Sequence, residues 1–115
     1  MAFDEELAHR IRELVAAEPE VSERRMFGGL AFLVDGNMAV SASSQGGLLL
    51  RCHPDETDVL LGQPHAERFE MRGRPMDGWL RVRAEGVRSR AQLVRWVGRA
   101  VAHARTLPPK QARRS

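Results

Sequence analysis

The most informative part of the chain is the segment Arg24-Arg25-Met26-Phe27-Gly28-Gly29-Leu30-Ala31-Phe32. Its double glycine invites comparison with phosphate-binding loops. The spacing fits neither G-x-G-x-x-G nor the P-loop, however, and no helical pattern follows it. We therefore interpret Phe27 as an anchor in the core, and Gly28 and Gly29 as positions where the chain turns or packs closely against other backbone. The basic pair, Arg24 and Arg25, is the part predicted to face a partner.

Size and composition predict a single folded domain. The chain has 115 residues, of which 43% are hydrophobic and 29% charged, as in ordinary globular proteins. Its apolar runs are too short for a membrane-spanning helix, and its first residues lack the pattern of a signal peptide. The single cysteine, Cys52, excludes an internal disulfide and fits a reducing compartment. We expect a cytoplasmic protein with a domain over 1–107 and a disordered basic tail over 108–115.

The charges are divided unevenly along the chain. Residues 1–67 carry five Arg against twelve Asp or Glu, a net charge of −7, whereas residues 68–115 carry thirteen Arg or Lys against three, a net charge of +10. A basic half can meet phosphate or an acidic protein, and an acidic half can meet the basic half of another copy. A homodimer is therefore one expectation, and a merely solvated charged surface is the alternative.

The first half of the chain predicts one helix and three strands. Apolar residues at helical spacing predict a helix over 4–17, which Pro19 ends. The segments 30–34 and 37–41 flank Asp35-Gly36, a preferred pair for a tight hairpin turn. A turn at Gly46-Gly47 leads to a third strand over 48–52, so the three strands form an antiparallel meander.

The second half predicts a short helix, two strands and a long helix. Residues 53–62 have proline and acids at the start of a short helix. Residues 67–71 and 79–83 alternate like strands, and we interpret 73–78 as the turn between them. Ser89 and Gln92 form a capping box, and an apolar stripe that includes Val94 predicts a helix over 90–105. The resulting fold class is α+β, with one five-stranded antiparallel sheet and helices packed on one face.

Few residues are arranged for catalysis or metal binding. Cys52 and His53 are adjacent, but neighbours on a strand point to opposite faces and cannot easily form a thiolate–imidazole pair. Cys52 is better interpreted as a small buried residue. The four histidines lack metal-binding spacing. We therefore expect no enzyme activity, no cofactor and no metal, with a ligand-binding or catalytic pocket near Cys52 as a distant alternative.

Arginines near the end of the chain form the candidate surface for nucleic acid. They could bind phosphates without reading sequence. No helix-turn-helix or RNA-recognition motif accompanies them, and a charged helix face is usually only solvated. The candidates are Arg88, Arg90, Arg95 and Arg99 on the last helix, with Arg113 and Arg114 on the tail.

Several motifs together resemble the TfoX/Sxy N-terminal domain family over about residues 5–105. The segment 24–32 is similar to the family's R-(R/K)-M-F-G-G start, and 34–38 and 48–51 resemble its next turn and strand. Residues 73–79 resemble its Pro-Met-x-(G/S)-aromatic segment, and the closing helix resembles its W-V-x-x-A pattern. The motif residues that we interpret as structural are Met26, Phe27, Gly28, Gly29, Pro75, Met76 and Gly78.

The resemblance implies a small α+β fold similar to type III secretion chaperones, linked to regulators of bacterial competence, and it implies no catalytic residues. Competence regulators of this family carry a second domain, which this chain is too short to include. We expect a stand-alone, non-enzymatic domain that regulates transcription through contacts with a protein partner. Direct nucleic-acid binding by the basic last helix and tail is the alternative.

Overall fold

A computed structural model describes residues 4–26, 29–44 and 46–109, without the side chain of Met71. The helices in this part of the chain are α1 (Glu5–Leu14), α2 (Thr57–Leu60) and α3 (Arg90–Arg105). The strands are β1 (Val21–Met26), β2 (Gly29–Val34), β3 (Asn37–Ala42), β4 (Leu48–Arg51), β5 (Ala66–Met71) and β6 (Arg74–Val82). Short 3-10 turns precede α2 and α3, at Pro54–Glu56 and Ala84–Val87.

The described strands form one antiparallel sheet in the order β1-β2-β3-β4-β6-β5. The α+β class and the meander from β2 to β4 are therefore confirmed. The prediction of five strands is wrong, because the sheet has a sixth strand, β1, at one edge. β1 has the sequence VSERRM, and its four middle residues are exposed. An edge strand with this exposure lacks the apolar alternation by which strands are predicted.

The predicted turn over 73–78 is also wrong. The chain turns at Arg72 and Gly73, and Arg74 already begins β6. β4 pairs with β6 only between Trp79 and Val82, so Pro75 lies where β6 has β5 as its one neighbouring strand. Proline has no backbone N–H to donate. It is tolerated there because no second strand is present that would need this hydrogen bond.

The main core lies between the sheet and the helices. Alternate strand residues such as Phe32, Leu50 and Leu80 are 0–1% exposed and belong to one buried cluster with α1, α2 and α3. Each described helix contributes apolar side chains to this cluster, among them Ile11, Leu60 and others along α3. The prediction that helices cover one face is therefore confirmed.

The local signals of α3 are confirmed with one exception. Ser89 Oγ accepts from the Gln92 N–H at 3.1 Å, while Gln92 Oε1 accepts from the Ser89 N–H at 2.9 Å, so the capping box is complete. Val94 was predicted in the buried stripe, but it is 43% exposed. Trp96 is buried at 6% exposure instead.

The first helix, α1, ends earlier than predicted, at Leu14 rather than at residue 17.

Candidate interaction surface

The face of the sheet opposite the helices carries a second apolar cluster, to which no described helix contributes. Its buried members are Ala31, Leu33, Met38 and Leu49, against which Met26, Phe69 and Trp79 are packed. We call the side of the sheet that bears these seven residues the helix-free face. The four buried members are 0–6% exposed, so the apolar surface that a partner can reach on this face comes from the three partly buried side chains.

A cleft of about 620 Å³ opens on the helix-free face near β1. Its apolar wall includes Met26, Leu33, Met38 and Trp79, and cationic side chains reach it from Arg24 on β1 and Arg51 on β4. This volume is within the range of clefts that bind small molecules or individual side chains of a partner. We call it the sheet cleft.

The strand register explains why cations and apolar residues share this face. Residues paired across antiparallel strands project from the same face. The paired positions Arg24, Ala31, Ser41, Leu49, Arg81 and Glu67 form one row across the six described strands. Small and apolar residues thus form its middle, Arg24 lies at one end, and Arg81 and Glu67 lie at the other.

Trp79 and Arg51 form the opposite wall of the cleft from β1. The two residues are paired between β4 and β6. The guanidinium carbon of Arg51 lies 5.7 Å from the centre of a Trp79 ring, which is within cation–π range. The Trp79 ring also packs against Phe69, with ring centres 6.3 Å apart. The arrangement holds a planar cation and an aromatic ring side by side on the helix-free face.

The acidic residues at the rim are partly neutralised. Asp35 lies 3.7 Å from Arg105, which also pairs with Glu18 at 2.9 Å. Arg24, by contrast, is exposed, and no ion pair within the described residues neutralises it. The guanidinium group of Arg24, on the β1 side of the rim, is therefore available to pair with a group of a bound partner.

The structure separates the two predicted partner-facing arginines. Arg24 pairs with Ala31 and lines the cleft, whereas Arg25 pairs with Leu30, whose side chain belongs to the main core. The two side chains therefore project from opposite faces. Arg51 and Trp79 were not among the predicted site residues, because their place beside Arg24 follows from the strand order and not from spacing along the chain.

The predicted nucleic-acid surface lies on the opposite side of the molecule. Arg95 and Arg99 are exposed on the outer side of α3 and share a shallow groove with His53, Glu56 and His103. Arg88 and Arg90 are exposed at the beginning of the helix, and the Arg88 carbonyl accepts a hydrogen bond from Arg10. Arg113 and Arg114 lie outside the described residues.

The Cys52–His53 pair is not arranged as a nucleophile and base. Cys52 is 1% exposed, and burial raises the pKa of its thiol, which disfavours the reactive thiolate. The nearest polar partner of its sulfur is Thr57 Oγ1, at 3.9 Å. The exposed His53 accepts instead from the Asp55 N–H through Nδ1, at 3.0 Å. The interpretation of Cys52 as a small buried residue is confirmed.

Within the part of the chain that the structure describes, no group of three or more His, Cys, Asp and Glu side chains could hold a metal ion.

His103 lies edge-to-face with His53, with ring centres 6.1 Å apart. Burial, together with the positive charge of Arg51 and the neighbouring His53, lowers the pKa of His103.

Among the motif residues, Gly29 and Gly78 have identifiable structural roles. A methyl group on Gly29 would lie 2.1 Å from the Ala42 carbonyl oxygen, so Gly29 permits close packing of β2 against β3. Gly78 has a φ of +87°, and its N–H donates to the buried Thr57 Oγ1 at 2.8 Å. Met26 packs on the helix-free face, Met76 is half-buried and Pro75 is exposed. Phe27 and Gly28 lie outside the described residues.

The fold and the surface define a small α+β domain with one helix-covered sheet face and one open, partly cationic face. The family model of the TfoX N-terminal domain matches residues 13–104. The chain therefore belongs to the TfoX N-terminal domain family. No curated protein matches it. No helix in the described residues has the length and apolar character needed to span a membrane.

Proposed function

We propose that the chain is a non-enzymatic, cytoplasmic domain that acts in transcriptional regulation of the competence type by binding a protein partner on its helix-free face. Membership of the TfoX N-terminal domain family supports the regulatory role. The observation that carries the binding surface is the sheet cleft, where the partly buried Met26 and Trp79 lie with the exposed Arg24, which has no ion pair among the described residues. Acidic groups next to apolar side chains on the partner would complement this surface.

Two features support a binding role over a catalytic one. Cys52 is enclosed, does not line the sheet cleft and has a raised pKa. The cleft brings together side chains suited to recognition, namely an aromatic ring, thioethers and guanidinium groups. Tryptophan and arginine are the residues that most often dominate binding energy at protein interfaces.

The proposed function is tested by affinity capture from cell extract with three forms of the domain. The wild type and Arg95→Glu, which reverses a charge on α3, should retain the same partner. Arg24→Glu, which makes the matched change at the cleft, should lose it. Capture that survives Arg24→Glu and disappears with Arg95→Glu would place the binding surface on α3 and contradict the proposal.

Direct binding to nucleic acid is the second candidate, and one specific observation favours it. α3 contains four arginines and no acidic residue, and Arg95 and Arg99 are exposed on it. Such a helix would bind phosphates of any sequence. This candidate predicts binding to random duplex DNA that weakens steeply with salt. In an Arg95→Ala/Arg99→Ala variant, the salt slope should fall by about 2. Absence of binding at low salt would remove the candidate.

A further inference from the structure

The two edge strands of the sheet, β1 and β5, each direct alternate backbone N–H and C=O groups away from the sheet. The Asp35 N–H donates to the Glu20 carbonyl at 3.0 Å. Because hydrogen-bonded pairs alternate along an antiparallel ladder, the β1–β2 register directs the backbone groups of Val21 and Glu23 away from β2. On the other edge, the Arg83 N–H donates to the His65 carbonyl at 2.9 Å. The β5–β6 register therefore directs the backbone groups of Ala66 and Arg68 away from β6.

The side chains of the two edges also match in charge. Antiparallel pairing of β1 with β5 of a second copy brings the outward backbone groups of Glu23 and Arg68 together. In the same register, Arg24 lies opposite Glu67, so residues of opposite charge meet at two neighbouring positions. Arg24 has no ion pair among the described residues, whereas Glu23 already pairs with Arg12 at 2.6 Å, Glu67 with Arg83 at 2.6 Å and Arg68 with Asp58 at 2.9 Å. Like charges opposite each other destabilise strand pairing and unlike charges favour it. The sequence of β5 therefore complements that of β1 at successive positions.

The same register continues the apolar cluster from one copy to the next. Phe69 packs on the helix-free face, and it would lie opposite Ser22, which lines the sheet cleft. Ser22 is small and is paired with Leu33. The ring of Phe69 could therefore extend over Ser22 towards Leu33, which belongs to the apolar cluster on the same face.

The directions of the strands permit this arrangement without turning either copy over. Every pair of neighbouring strands is antiparallel, so β1 and β5 run in opposite directions in the sheet order. A copy placed beside β1 in the same orientation therefore presents β5 antiparallel to it, with the helix-free faces on the same side. We propose that copies of this chain associate head to tail by antiparallel pairing of β1 with β5 of the next copy, with Arg24 opposite Glu67 and Glu23 opposite Arg68.

Symmetric pairing of β1 with β1 is less complementary. A twofold axis at Arg24 places two arginines opposite each other at its centre, although Glu23 then lies opposite Arg25 on both sides, and an axis at Glu23 places two glutamates opposite each other. Head-to-tail pairing leaves one free β1 and one free β5 at the ends of every assembly, so it can continue beyond two copies. This difference makes the two arrangements separable by mass.

Sedimentation of the whole chain over a range of concentrations tests the proposal. For the wild type and for Arg95→Glu, we expect a mass that rises with concentration past that of a dimer. Arg24→Glu and Glu67→Arg should each be monomeric under the same conditions. Circular dichroism should show that both remain folded. Glu67→Arg also removes the 2.6 Å ion pair with Arg83, so loss of association in that variant alone does not decide the matter.

Two complementation experiments decide it. An equimolar mixture of Arg24→Glu and Glu67→Arg offers opposite charges at both kinds of contact between the two variants, so it should associate past the mass of a dimer although each variant alone is monomeric. A chain that carries both substitutions restores opposite charges at the contact and should associate again. A wild type that is monomeric at every concentration, a wild type that stops at a dimer, or a mixture that stays monomeric would overturn the proposal.

Discussion

Single residues hold the strands in the spacing on which both faces of the sheet depend. Gly29 allows β2 to approach the Ala42 carbonyl more closely than any residue with a Cβ could. Thr57 Oγ1, which is buried, donates to the Pro54 carbonyl at 2.9 Å and accepts from the Gly78 N–H at 2.8 Å. It thereby ties the turn before α2 to the middle of β6, the strand that carries Trp79 into the cleft.

Replacement of Gly29 by alanine should destabilise the domain. The added methyl would lie 2.1 Å from the Ala42 oxygen, and backbone shifts of this kind typically cost about 1–3 kcal/mol. Gly98→Ala is the matched control. Nothing lies within 4 Å of its added methyl, and alanine in a helix stabilises by about 0.5–1 kcal/mol relative to glycine. Urea unfolding of both variants measures the difference, and a Gly29→Ala variant as stable as the wild type would refute the close approach.

Whole elements differ in how well the sequence predicts them. α3 is predicted within its observed limits because its cap, its stripe and its ending are all local signals. β1 is missed because Ser22, Glu23, Arg24 and Arg25 are exposed at an edge, where burial imposes no alternation. The N-terminal half of β6 is missed because Pro75 and Gly78 favour a turn locally. Proline is acceptable there only because β4 ends before it could pair with this part of β6.

The same distinction applies to the candidate site. Arg24 was predicted because a basic pair is visible in the sequence. Its association with Arg51 and Trp79 depends on the order of strands that are distant along the chain. Arg24 and Arg25 lie on opposite faces because they are neighbours on β1, and the sequence does not predict that strand.

The contact between α3 and the segment before α2 should make stability depend on pH. Burial, Arg51 and His53 lower the pKa of His103, whereas Glu56 opposes this. A histidine with a lowered pKa in the folded state takes up its proton more readily in the unfolded state. The free energy of unfolding should therefore fall as the pH drops below about 6.5, the ordinary histidine value. The decrease should end once the pH is below the lowered pKa of the folded state.

A His103→Gln variant cannot take up this proton and should lose less stability over the same pH interval. Chemical denaturation at several pH values measures the effect, with His9→Gln as a control at an exposed position on α1. An equal decrease in the wild type and in His103→Gln would show that the burial of His103 does not contribute.

At the scale of the whole molecule, the sheet divides the domain into two sides of different composition. The helix-covered side contains the main core and, outside it, the basic surface of α3. The other side combines the apolar cluster, the cleft and Arg24. In the proposed assembly, further copies pair at the two edges of the sheet, and Glu67 of the next copy lies opposite Arg24 at the rim of the sheet cleft.

The two tryptophans of the chain report separately on these two sides. Trp79 lines the cleft on the helix-free face, and Trp96 is buried in the main core under α3. Their indole N–H signals in a two-dimensional nitrogen–proton NMR spectrum can be assigned with Trp79→Phe and Trp96→Phe variants.

The most direct test of partner binding on the helix-free face is to follow these two signals while the purified captured partner is added. If the partner binds on the helix-free face, the Trp79 signal should shift or broaden as the complex forms, while the Trp96 signal stays in place. A Trp79 signal that remains unchanged in the saturated complex, with shifts confined to the backbone amides of α3, would contradict it.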